Sequence, residues 1–349
     1  MIVYKMQSFS VNLIAWQQSH GRHTLPWQNT RDPYAIWVSE IMLQQTQVSA
    51  VIPYYQRFMA RFSDIASLAM ADEDAVLKHW SGLGYYSRAR NLHRAAQEVM
   101  QTHGGQFPQD FKAIQALPGI GRSTAAAIAV FAFGQRQPIL DGNVKRVFAR
   151  CFGIEGWAGQ SAVEKRLWSL AETLLPESSI ESYTQGLMDL GATLCTRSKP
   201  DCAGCPLRAG CIARRDNRTM QLPAAKPRKA IPQKQTVMLL LLNGNEVMLE
   251  KRPPTGIWGG LWSLPEIMPG EDAQQAAQQR FGLKTEIMPP LPDTTHVFTH
   301  FRLQITPQPL RLLRHLPQVR QAGVVWLDKE DAIGAALPAP VRKLLSGLK

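Results

Sequence analysis

The chain has 349 residues, 39 of them basic and 27 acidic, which gives a net charge of +12. This length exceeds the usual size of one domain and predicts two. The basic excess favours a polyanionic partner, although a protein of high pI without such a partner would share it. The longest apolar run ends at Leu242 and is too short to span a bilayer, so no membrane partner is expected.

Residues 1–217 have the apolar spacing of successive helices. The first helix is predicted to start at a Ser10 cap and to stop at Gly21. The next pattern predicts one helix over residues 35–52, with a new helix beginning at Pro53. Two further helices are predicted on either side of a Gly-Leu-Gly turn. This part of the chain is therefore predicted to be all-α.

The remainder of the chain has a different pattern. Residues 218–235 are polar and rich in Pro, Lys and Arg, which is typical of a basic linker. Two apolar runs then flank an Asn-Gly-Asn sequence, which is a hairpin signal, and residues 296–310 alternate as a strand does. We therefore predict a second, smaller domain of the α/β or α+β class at residues 236–345.

Glu40 lies in unusual company for a carboxylate. At helical spacing, Ile36 and Trp37 lie one turn before it, and Leu43 and Gln44 lie one turn after it. A carboxylate in largely apolar surroundings costs free energy unless it is paired, protonated or used in chemistry. The pattern therefore makes Glu40 a candidate for a chemical role.

Four of the five cysteines lie close together, with the spacing C-x6-C-x2-C-x5-C: Cys195, Cys202, Cys205 and Cys211. This grouping is not typical of a secreted disulfide framework and predicts a reducing cytoplasm. Four thiolates suit either zinc or an iron–sulfur cluster, and the spacing alone does not decide between them. Cys151 stands apart in the sequence and is predicted to be a buried apolar thiol.

A helix–hairpin–helix pattern covers residues 113–134. A short helix meets Pro118-Gly119-Ile120-Gly121, and an Ala-rich helix follows. Glycines at such a turn expose backbone N–H groups at a helix N-terminus, where a phosphate oxygen can bind without any reading of base sequence. A plain helix–turn–helix that binds no ligand is the alternative.

Asp141 precedes a predicted helix that contains Lys145, Arg146 and Arg150. This is the position of an N-cap, whose carboxylate accepts hydrogen bonds from the first free N–H groups of the helix. A cap and nothing more would explain an isolated aspartate here. Asp141 is therefore a candidate for a structural role, a chemical role, or both.

Six motifs, in this order, carry a resemblance to a known family: LPWQ, SEIMLQQTQV, GLGYYSRARNLH, LPGIGRSTA, ILDGNVKRV and the four-cysteine loop. They closely resemble the adenine DNA glycosylases of the MutY family, within the endonuclease III superfamily. The C-terminal part resembles the Nudix fold of MutT-type proteins more loosely. The resemblance implies a multidomain α plus α/β protein: an all-α helix–hairpin–helix glycosylase domain at 1–217 with an iron–sulfur cluster loop, the linker at 218–235, and a Nudix-like domain at 236–345.

The resemblance implies a glycosylase of base-excision repair. Such an enzyme flips adenine out of double-stranded DNA in which it is mispaired with 8-oxoguanine or guanine, and hydrolyses its glycosidic bond to leave an abasic site. Bifunctional relatives carry a lysine where this chain has Ser123, so efficient strand cleavage is not expected. The implied cofactor is one [4Fe–4S] cluster per chain, held by the four clustered cysteines. The implied protein is a monomer in the bacterial cytoplasm, associated with the nucleoid.

The resemblance also assigns roles to single residues. Glu40 becomes the general acid that protonates adenine, and Asp141, oriented by Asn143, becomes the carboxylate that stabilises the sugar cation. The adenine pocket is implied to contain Trp27, Gln28, Ser123 and Gln185. Contacts with DNA are implied for Gln44, Gln45, Leu83, Tyr85, Gly119, Gly121 and Arg122. Recognition of 8-oxoguanine is implied for the loop of Phe298, Thr299 and His300, in which many relatives have serine in place of Thr299.

Two other functions remain open on the sequence. A sister glycosylase acting on oxidised pyrimidines, or on thymine opposite guanine, is disfavoured by Ser123 and by the extra C-terminal domain. A non-catalytic iron–sulfur protein that binds DNA as a redox sensor is disfavoured by the presence of both Glu40 and Asp141. The C-terminal part offers Glu271 and Asp272 but lacks the Glu-rich signature that binds magnesium, so pyrophosphohydrolase activity is not expected.

Overall fold

The computed structural model describes residues 2–227, 230–316 and 323–348. These residues form two compact units, Met1–Met70 with Asn91–Arg228, and Ala71–Arg90 with Lys229–Lys349. Residues 228 and 229 of the predicted linker lie outside the described residues. In the part of the chain that is described, no helix is both long enough and apolar enough to cross a membrane.

The first unit is helical, and the division between the units falls within its α6. The helices up to the linker are α1 (Ile2–His20), α2 (Pro33–Leu43), α3 (Val48–Arg61), α4 (Ile65–Ala69), α5 (Glu73–Trp80), α6 (Ser87–Thr102), α7 (Phe111–Ala116), α8 (Arg122–Phe133), α9 (Gly142–Phe152), α10 (Ser161–Thr173), α11 (Ile180–Thr193) and α12 (Ile212–Arg215). Of these, α5 belongs to the second unit. The helical patterns predicted around the Gly-Leu-Gly turn are confirmed as α5 and α6.

One large core joins α1, α9, α10 and α11. Its fully buried members include Leu13, Val147, Phe148, Leu167 and Leu190. These side chains recur at helical spacing on each element, so each helix buries one apolar face and leaves the other to solvent. Burial of this kind supplies most of the stability of helices that are too short to persist alone.

Two predicted helix boundaries are wrong. Ser10 does not cap α1 but lies inside it, and its hydroxyl donates a hydrogen bond of 2.8 Å to the Leu174 carbonyl across the core. The single helix predicted over 35–52 is two helices, α2 and α3, and Pro53 lies inside the second. The break follows from Gln45, whose backbone has a φ of 58°, because a left-handed residue cannot continue a right-handed helix.

The predicted helix–hairpin–helix is confirmed as α7, a tight turn and α8. The turn depends on Gly119, which has a φ of 80°. A Cβ atom at this position would lie 2.8 Å from the Cβ of Asn91, closer than side-chain atoms normally approach. Glycine is therefore required here both for the backbone conformation and for the close approach of α6.

The second unit contains a mixed sheet of eight strands among its described residues. The strands are β1 (Gln233–Asn243), β2 (Glu246–Lys251), β3 (Trp262–Ser263), β4 (Glu266–Ile267), β5 (Leu283–Ile287), β6 (Thr294–Val297), β7 (Arg302–His315) and β8 (Val324–Asp328). The main order is β3-β2-β1-β7-β5, and β1 with β7 is parallel while the other pairs are antiparallel. Three further helices complete it: α13 (Ala273–Phe281), α14 (Lys329–Gly334) and α15 (Ala339–Ser346).

The predicted hairpin in this unit is confirmed as β1 and β2, joined at Asn243 and Glu246. The strand predicted over 296–310 is interrupted, because β6 ends and β7 begins on either side of residues 298–301. The Phe298 N–H donates to the Phe301 carbonyl at 2.9 Å and closes this turn. The core of the unit lies between the sheet and α13, with fully buried Leu239, Leu241, Ala277 and Leu310.

Candidate active site

All of the predicted catalytic and base-pocket residues line one cleft of the first unit, which has a volume of about 1630 Å3. Its walls come from α2, α8, α9 and α11 and from the segment between α1 and α2. The predicted residues that line it are Trp27, Gln28, Glu40, Gln44, Gln45, Gly121, Ser123, Asp141, Asn143 and Gln185. Gly119 and Arg122 lie outside its lining, whereas Leu83, Tyr85 and the loop Phe298–His300 belong to the second unit.

Glu40 lines the cleft from α2, beside Ile36 and Leu43. Its side chain is half-buried. Burial raises the pKa of this carboxyl to about 8, and the negative charge of Asp141 adds to the shift. A carboxyl group with such a pKa is largely protonated at neutral pH. Glu40 is therefore able to donate a proton to a group bound in the cleft.

Asp141 is the N-cap of α9, as predicted, and its Oδ1 accepts a hydrogen bond of 2.7 Å from the Val144 N–H. Asp141 also lines the cleft, so its carboxylate can interact with a bound group as well as cap the helix. Burial raises its pKa, while two backbone N–H groups of α9 and the cation of Arg146 act in the opposite direction. Because these groups favour the ionised form, Asp141 rather than Glu40 carries the negative charge of the pair.

Arg146 connects the helix of Asp141 to the cysteine loop. Its guanidinium donates to Asn143 Oδ1 at 2.8 Å, to the Gly191 carbonyl at 2.6 Å and to the Cys195 carbonyl at 2.7 Å. A Cβ atom at Gly191 would lie 2.5 Å from the Cβ of Asn143, so glycine is required for α9 and α11 to approach this closely. Asn143 is thus fixed both by a hydrogen bond and by packing.

The predicted pocket residues Gln28 and Gln185 are engaged inside the protein. The Gln28 side chain accepts from the Leu25 N–H at 3.0 Å and donates to the Arg22 carbonyl at 2.9 Å. The Gln185 amide donates to Asp189 Oδ1 at 2.9 Å. Asp189 is fully buried and also accepts from Arg22, at 2.9 Å from N and 2.6 Å from Nε. Sequence reasoning missed this pair, although the i, i+4 spacing of Gln185 and Asp189 places both on one helix face.

Ser123 and Gln44 tie the hairpin helix α8 to its neighbours. Ser123 Oγ accepts a hydrogen bond of 3.0 Å from the Leu140 N–H. Gln44 Nε2 donates to Thr124 Oγ1 at 3.3 Å. The Ser123 hydroxyl therefore positions the residue immediately before Asp141, a role that the sequence did not reveal.

Three other predicted residues differ in exposure and strain. Trp27 is buried, with its ring edge-on to a tyrosine. Gln45 has the left-handed backbone described above, a strain that is typical of functional turns. Arg122 stacks on Trp168 at 3.9 Å and pairs with Glu172 at 2.7 Å, so its cation already has a protein partner.

The four clustered cysteines line one small cavity in the first unit together with Arg150. The Arg150 guanidinium lies 3.4 Å from Cys195 Sγ and donates to the Thr196 carbonyl at 2.7 Å, so a buried cation faces the thiols. Among the described residues, no three metal-binding side chains are grouped as a single ion requires. The four thiols nevertheless line one cavity.

Cys151 is buried, as predicted, but it does not stand apart in space. It lines the same cavity, and its thiol donates a hydrogen bond to Cys211. That bond is the main cause that lowers the pKa of Cys211 to about 6, whereas burial raises the pKa of Cys205 to about 12. The predicted burial of this thiol is confirmed, and the packing of α12 on α9 brings Cys211 next to it.

In the second unit, Leu83 and Tyr85 lie in the turn between α5 and α6. Leu83 is buried, whereas Tyr85 is 43% exposed and has a left-handed φ of 48°. Arg88 supports the turn by donating to the Leu83 carbonyl at 3.3 Å and the Gly84 carbonyl at 3.1 Å. Its guanidinium lies 5.5 Å from the centre of the Tyr85 ring. Of the two predicted DNA contacts, Tyr85 is thus the one presented to solvent.

The loop Phe298–His300 connects β6 and β7, also in the second unit. The Phe298 ring stacks on Phe301 with centroids 4.4 Å apart and lies 5.2 Å from the ring of Trp258. Thr299 and His300 are exposed. The loop is therefore an aromatic platform that carries two exposed polar side chains.

Two protein-family models match the chain, the HhH-GPD superfamily of base excision DNA repair proteins over residues 38–173 and the NUDIX domain over residues 236–347. The adenine DNA glycosylase of Buchnera aphidicola (subsp. Acyrthosiphon pisum) is 36% identical over 98% of this chain and 97% of its own length. The chain belongs to the MutY family of adenine DNA glycosylases. The human adenine DNA glycosylase is 32% identical over 98% of this chain and 74% of its own length.

Solved structures of other DNA repair enzymes share the fold of about three fifths of this chain. A thermostable thymine-DNA glycosylase, 31% identical, covers 62% of this chain and 99% of its own, with a TM-score of 0.56. An endonuclease III–DNA complex, 20% identical over 61% of this chain and 97% of its own, shares the fold with a TM-score of 0.52. The predicted fold class and the predicted enzyme class, a DNA N-glycosylase of base-excision repair, are confirmed. The relatives do not favour the alternative functions.

Proposed function

We propose that this enzyme removes adenine paired with 8-oxoguanine or guanine in double-stranded DNA and leaves an abasic site. The single observation that carries the chemistry is the meeting of Glu40 and Asp141 in one cleft, with the pKa of Glu40 raised to about 8. The name shared by the relatives supports adenine as the base. A base reaches such a cleft only after it has left the duplex stack, so the nucleotide is flipped before the reaction.

The proposed reaction begins with proton transfer. Glu40, protonated at neutral pH, gives its proton to the imidazole-ring nitrogen of adenine, which makes the base a better leaving group. The bond between C1′ and N9 then breaks, and its electron pair leaves with the base. The Asp141 carboxylate stabilises the positive charge on the sugar. Water attacks C1′ and its proton passes to Asp141, which Asn143 orients from the first turn of α9.

Hydrolysis is the proposed end of the reaction. No amine is present at residue 123, where the Ser123 hydroxyl is held by the Leu140 N–H, so we expect no covalent sugar intermediate and no efficient strand cleavage. Both carboxyl groups come from one chain, so the chemistry needs no second copy and a monomer is sufficient. A DNA substrate would place the enzyme at the nucleoid.

The other predicted residues receive roles in binding. Trp27, Gln28, Ser123 and Gln185 line the cleft and are proposed to enclose the adenine. Backbone N–H groups at Gly119 and Gly121, with Arg122, are proposed to hold a phosphate. Gln44, Gln45, Leu83 and Tyr85 are proposed to fill the duplex and contact the opposite base. Phe298, Thr299 and His300 are proposed to distinguish 8-oxoguanine, since their loop presents hydrogen-bonding groups to solvent.

The cofactor we propose is one [4Fe–4S] cluster on Cys195, Cys202, Cys205 and Cys211. The four thiols line one cavity, and four thiolates are a ligand set that such a cluster takes. The buried cation of Arg150 offsets the negative charge that four thiolates bring. Bound there, the cluster would hold the loop that Arg146 ties to the helix of Asp141.

Single-turnover reactions on three duplexes test the proposed function. We expect adenine release from A:8-oxoguanine and A:G pairs and no base release from T:G pairs. Release of thymine without adenine would overturn the substrate, and release of neither base would overturn the enzyme assignment. The same preparation tests the cofactor, since about four irons per chain are expected. A colourless, zinc-loaded and active protein would overturn the cluster.

A further inference from the structure

The segment Ala71–Arg90 is compact with Lys229–Lys349, although the HhH-GPD match includes it along the sequence. It consists of α5, the turn of residues 81–86 and the first residues of α6. The turn carries Tyr85, the exposed aromatic side chain proposed to contact the opposite base. The attachments of this segment within the second unit therefore bear on how Tyr85 is presented.

The first attachment is made by Asp74 of α5. One carboxylate oxygen accepts from Lys251 Nζ as an ion pair, and the other accepts from Trp262 Nε1 at 3.1 Å. Lys251 and Trp262 are directly paired across β2 and β3, and the ammonium lies 5.0 Å from the centre of the tryptophan ring. Both oxygens of Asp74 are thus held by adjacent strands of the sheet.

The second attachment joins the ends of the turn to the C-terminal part of the chain. Ser81 Oγ accepts from Arg342 Nη2 at 2.9 Å and donates to the Leu337 carbonyl at 3.4 Å. The Tyr86 hydroxyl donates to the same carbonyl at 3.5 Å and accepts from the Gly82 N–H at 3.2 Å. Residues before and after Tyr85 are therefore held at one point, the Leu337 carbonyl.

The turn between these attachments contains three residues with a left-handed backbone, and this conformation is unfavourable for Tyr85. Gly82, Gly84 and Tyr85 have φ values of 101°, 76° and 48°. A left-handed conformation is unfavourable for a tyrosine and persists only where the surrounding structure determines it. The hydrogen bonds of Ser81 and Tyr86 hold both ends of the turn and so stabilise this conformation.

We propose that Asp74, Ser81 and Arg342 are positioning residues, through which the Nudix-like part of the chain fixes the turn that presents Tyr85 to the mispaired duplex. The Nudix-like part thus contributes to recognition of the opposite base in two ways, directly through the Phe298–His300 loop and indirectly through Tyr85. This inference rests on the proposed function, in which Tyr85 contacts that base.

A charge exchange in the full-length enzyme tests the inference. The readout is mispair specificity, the Kd of a fully paired duplex divided by that of an A:8-oxoguanine duplex whose adenosine carries a 2′-fluorine to prevent cleavage. Asp74→Lys and Lys251→Asp are each expected to lower this ratio about five- to tenfold. The double exchange should restore part of it, because it regains the ion pair but not the hydrogen bond from Trp262. The single-turnover rate at saturating enzyme should stay within about threefold of the wild type, because the cleft is in the other unit.

The matched control is the ion pair between Arg311 and Glu286, which joins β7 and β5 in the same unit. Arg311→Glu and Glu286→Lys should leave the ratio unchanged. Thermal melting would reveal whether a charge reversal prevents folding. Ser81→Ala removes only a hydroxyl, so it provides a second test and is also expected to lower the ratio. A merely structural attachment would lower the melting temperature without changing the ratio, and this outcome would overturn the inference.

Tyr85→Ala separates failure of the inference from failure of the proposed function. If Tyr85→Ala lowers the ratio while the Asp74 and Ser81 variants match the wild type, the positioning role is wrong and the contact of Tyr85 stands. If Tyr85→Ala itself leaves the ratio unchanged, the proposed contact is wrong and the inference is overturned with it. Adenine release measured on the same preparations reports on Glu40 and Asp141 independently of both outcomes.

Discussion

The cleft of the first unit and the Phe298–His300 loop of the second unit place their polar groups in opposite environments. In the cleft, Glu40 and Asp141 are half-buried, and burial raises both of their pKa values. In the loop, Thr299 and His300 are exposed above stacked aromatic rings. Proton transfer at neutral pH requires a carboxyl group taken out of water, whereas recognition of a base edge requires donors and acceptors that it can reach.

Among the changes that test this comparison, Glu40→Gln is expected to have the largest effect on the rate of adenine release. The amide cannot protonate adenine, so the single-turnover rate should fall by about 10²- to 10⁴-fold while mispair binding is retained. Glu177→Gln, at an exposed glutamate of the same unit, is the matched control and should retain full activity. A Glu40→Gln enzyme that cleaves at the wild-type rate would show that burial of this carboxyl serves no acid catalysis.

Substitutions of Asp141 distinguish the catalytic role of its charge from its role as the N-cap of α9. Asp141→Asn should slow the chemical step by about 10²- to 10³-fold, because a neutral amide cannot stabilise the sugar cation. Asparagine still caps α9, so the melting temperature should change little, whereas Asp141→Ala should also lose ~1 kcal/mol of stability. Single-turnover kinetics and thermal melting of both variants make the measurement. An inactive Asp141→Ala beside a fully active Asp141→Asn would assign Asp141 to capping alone.

The pH dependence of the reaction tests the cleft separately from the loop, because burial raises the pKa of the Glu40 carboxyl in the cleft to about 8. Glu40 must be protonated to act, so the single-turnover rate should fall about tenfold per pH unit above pH 8. The pKa of Glu40 is raised from 4.5, so the protonated carboxyl favours the folded state, and the free energy of unfolding should decrease as pH rises from 4.5 to about 8. Glu40→Gln should remove this part of the stability profile; an unchanged profile would contradict the raised pKa.

The smallest effect is expected in the loop. Thr299→Ala combined with His300→Ala should lower the preference for 8-oxoguanine over guanine about tenfold, the value of one hydrogen bond of ~1.4 kcal/mol. Adenine release from A:G pairs should stay near the wild-type rate. Thr295→Ala, at an exposed threonine of β6, is the control, and all affinities are compared at one salt concentration. If the double variant still prefers 8-oxoguanine over guanine as strongly as the wild type, other residues must recognise the lesion.

Local patterns predicted much of this fold. The cap at Asp141, the glycine turn at Gly119 and the hairpin of β1 and β2 each depend on a few neighbouring residues, so the sequence contains the information that forms them. The break between α2 and α3 was missed because Gln45 is not a residue type that favours a left-handed backbone. Its conformation is imposed by tertiary structure rather than by propensity.

Local sequence patterns did not predict contacts between residues that are distant in the sequence. Cys151 looked isolated in sequence, yet it donates a hydrogen bond to Cys211. Asp189 was overlooked as the buried partner of Gln185 and Arg22, since only its i, i+4 spacing from Gln185 gave any signal. Such pairs depend on how helices pack, which a single sequence does not report. The raised pKa of Glu40, by contrast, was foreseeable in direction, because its apolar neighbours one turn away already implied burial.

The division of α5 from the unit that surrounds it in sequence has a consequence for synthesis of the chain on the ribosome. Leu77 of α5 is fully buried, and a Cβ atom at Gly260 would lie 3.4 Å from its Cδ1. Roughly 140 residues separate Arg90 from Lys229, so at about 5–20 residues per second Lys229 and the residues after it are synthesised roughly 7–28 s after α5. The core that joins α1, α9, α10 and α11 draws no residue from α5. That core can therefore assemble during translation before Gly260, the residue whose Cβ position lies against Leu77, has been synthesised.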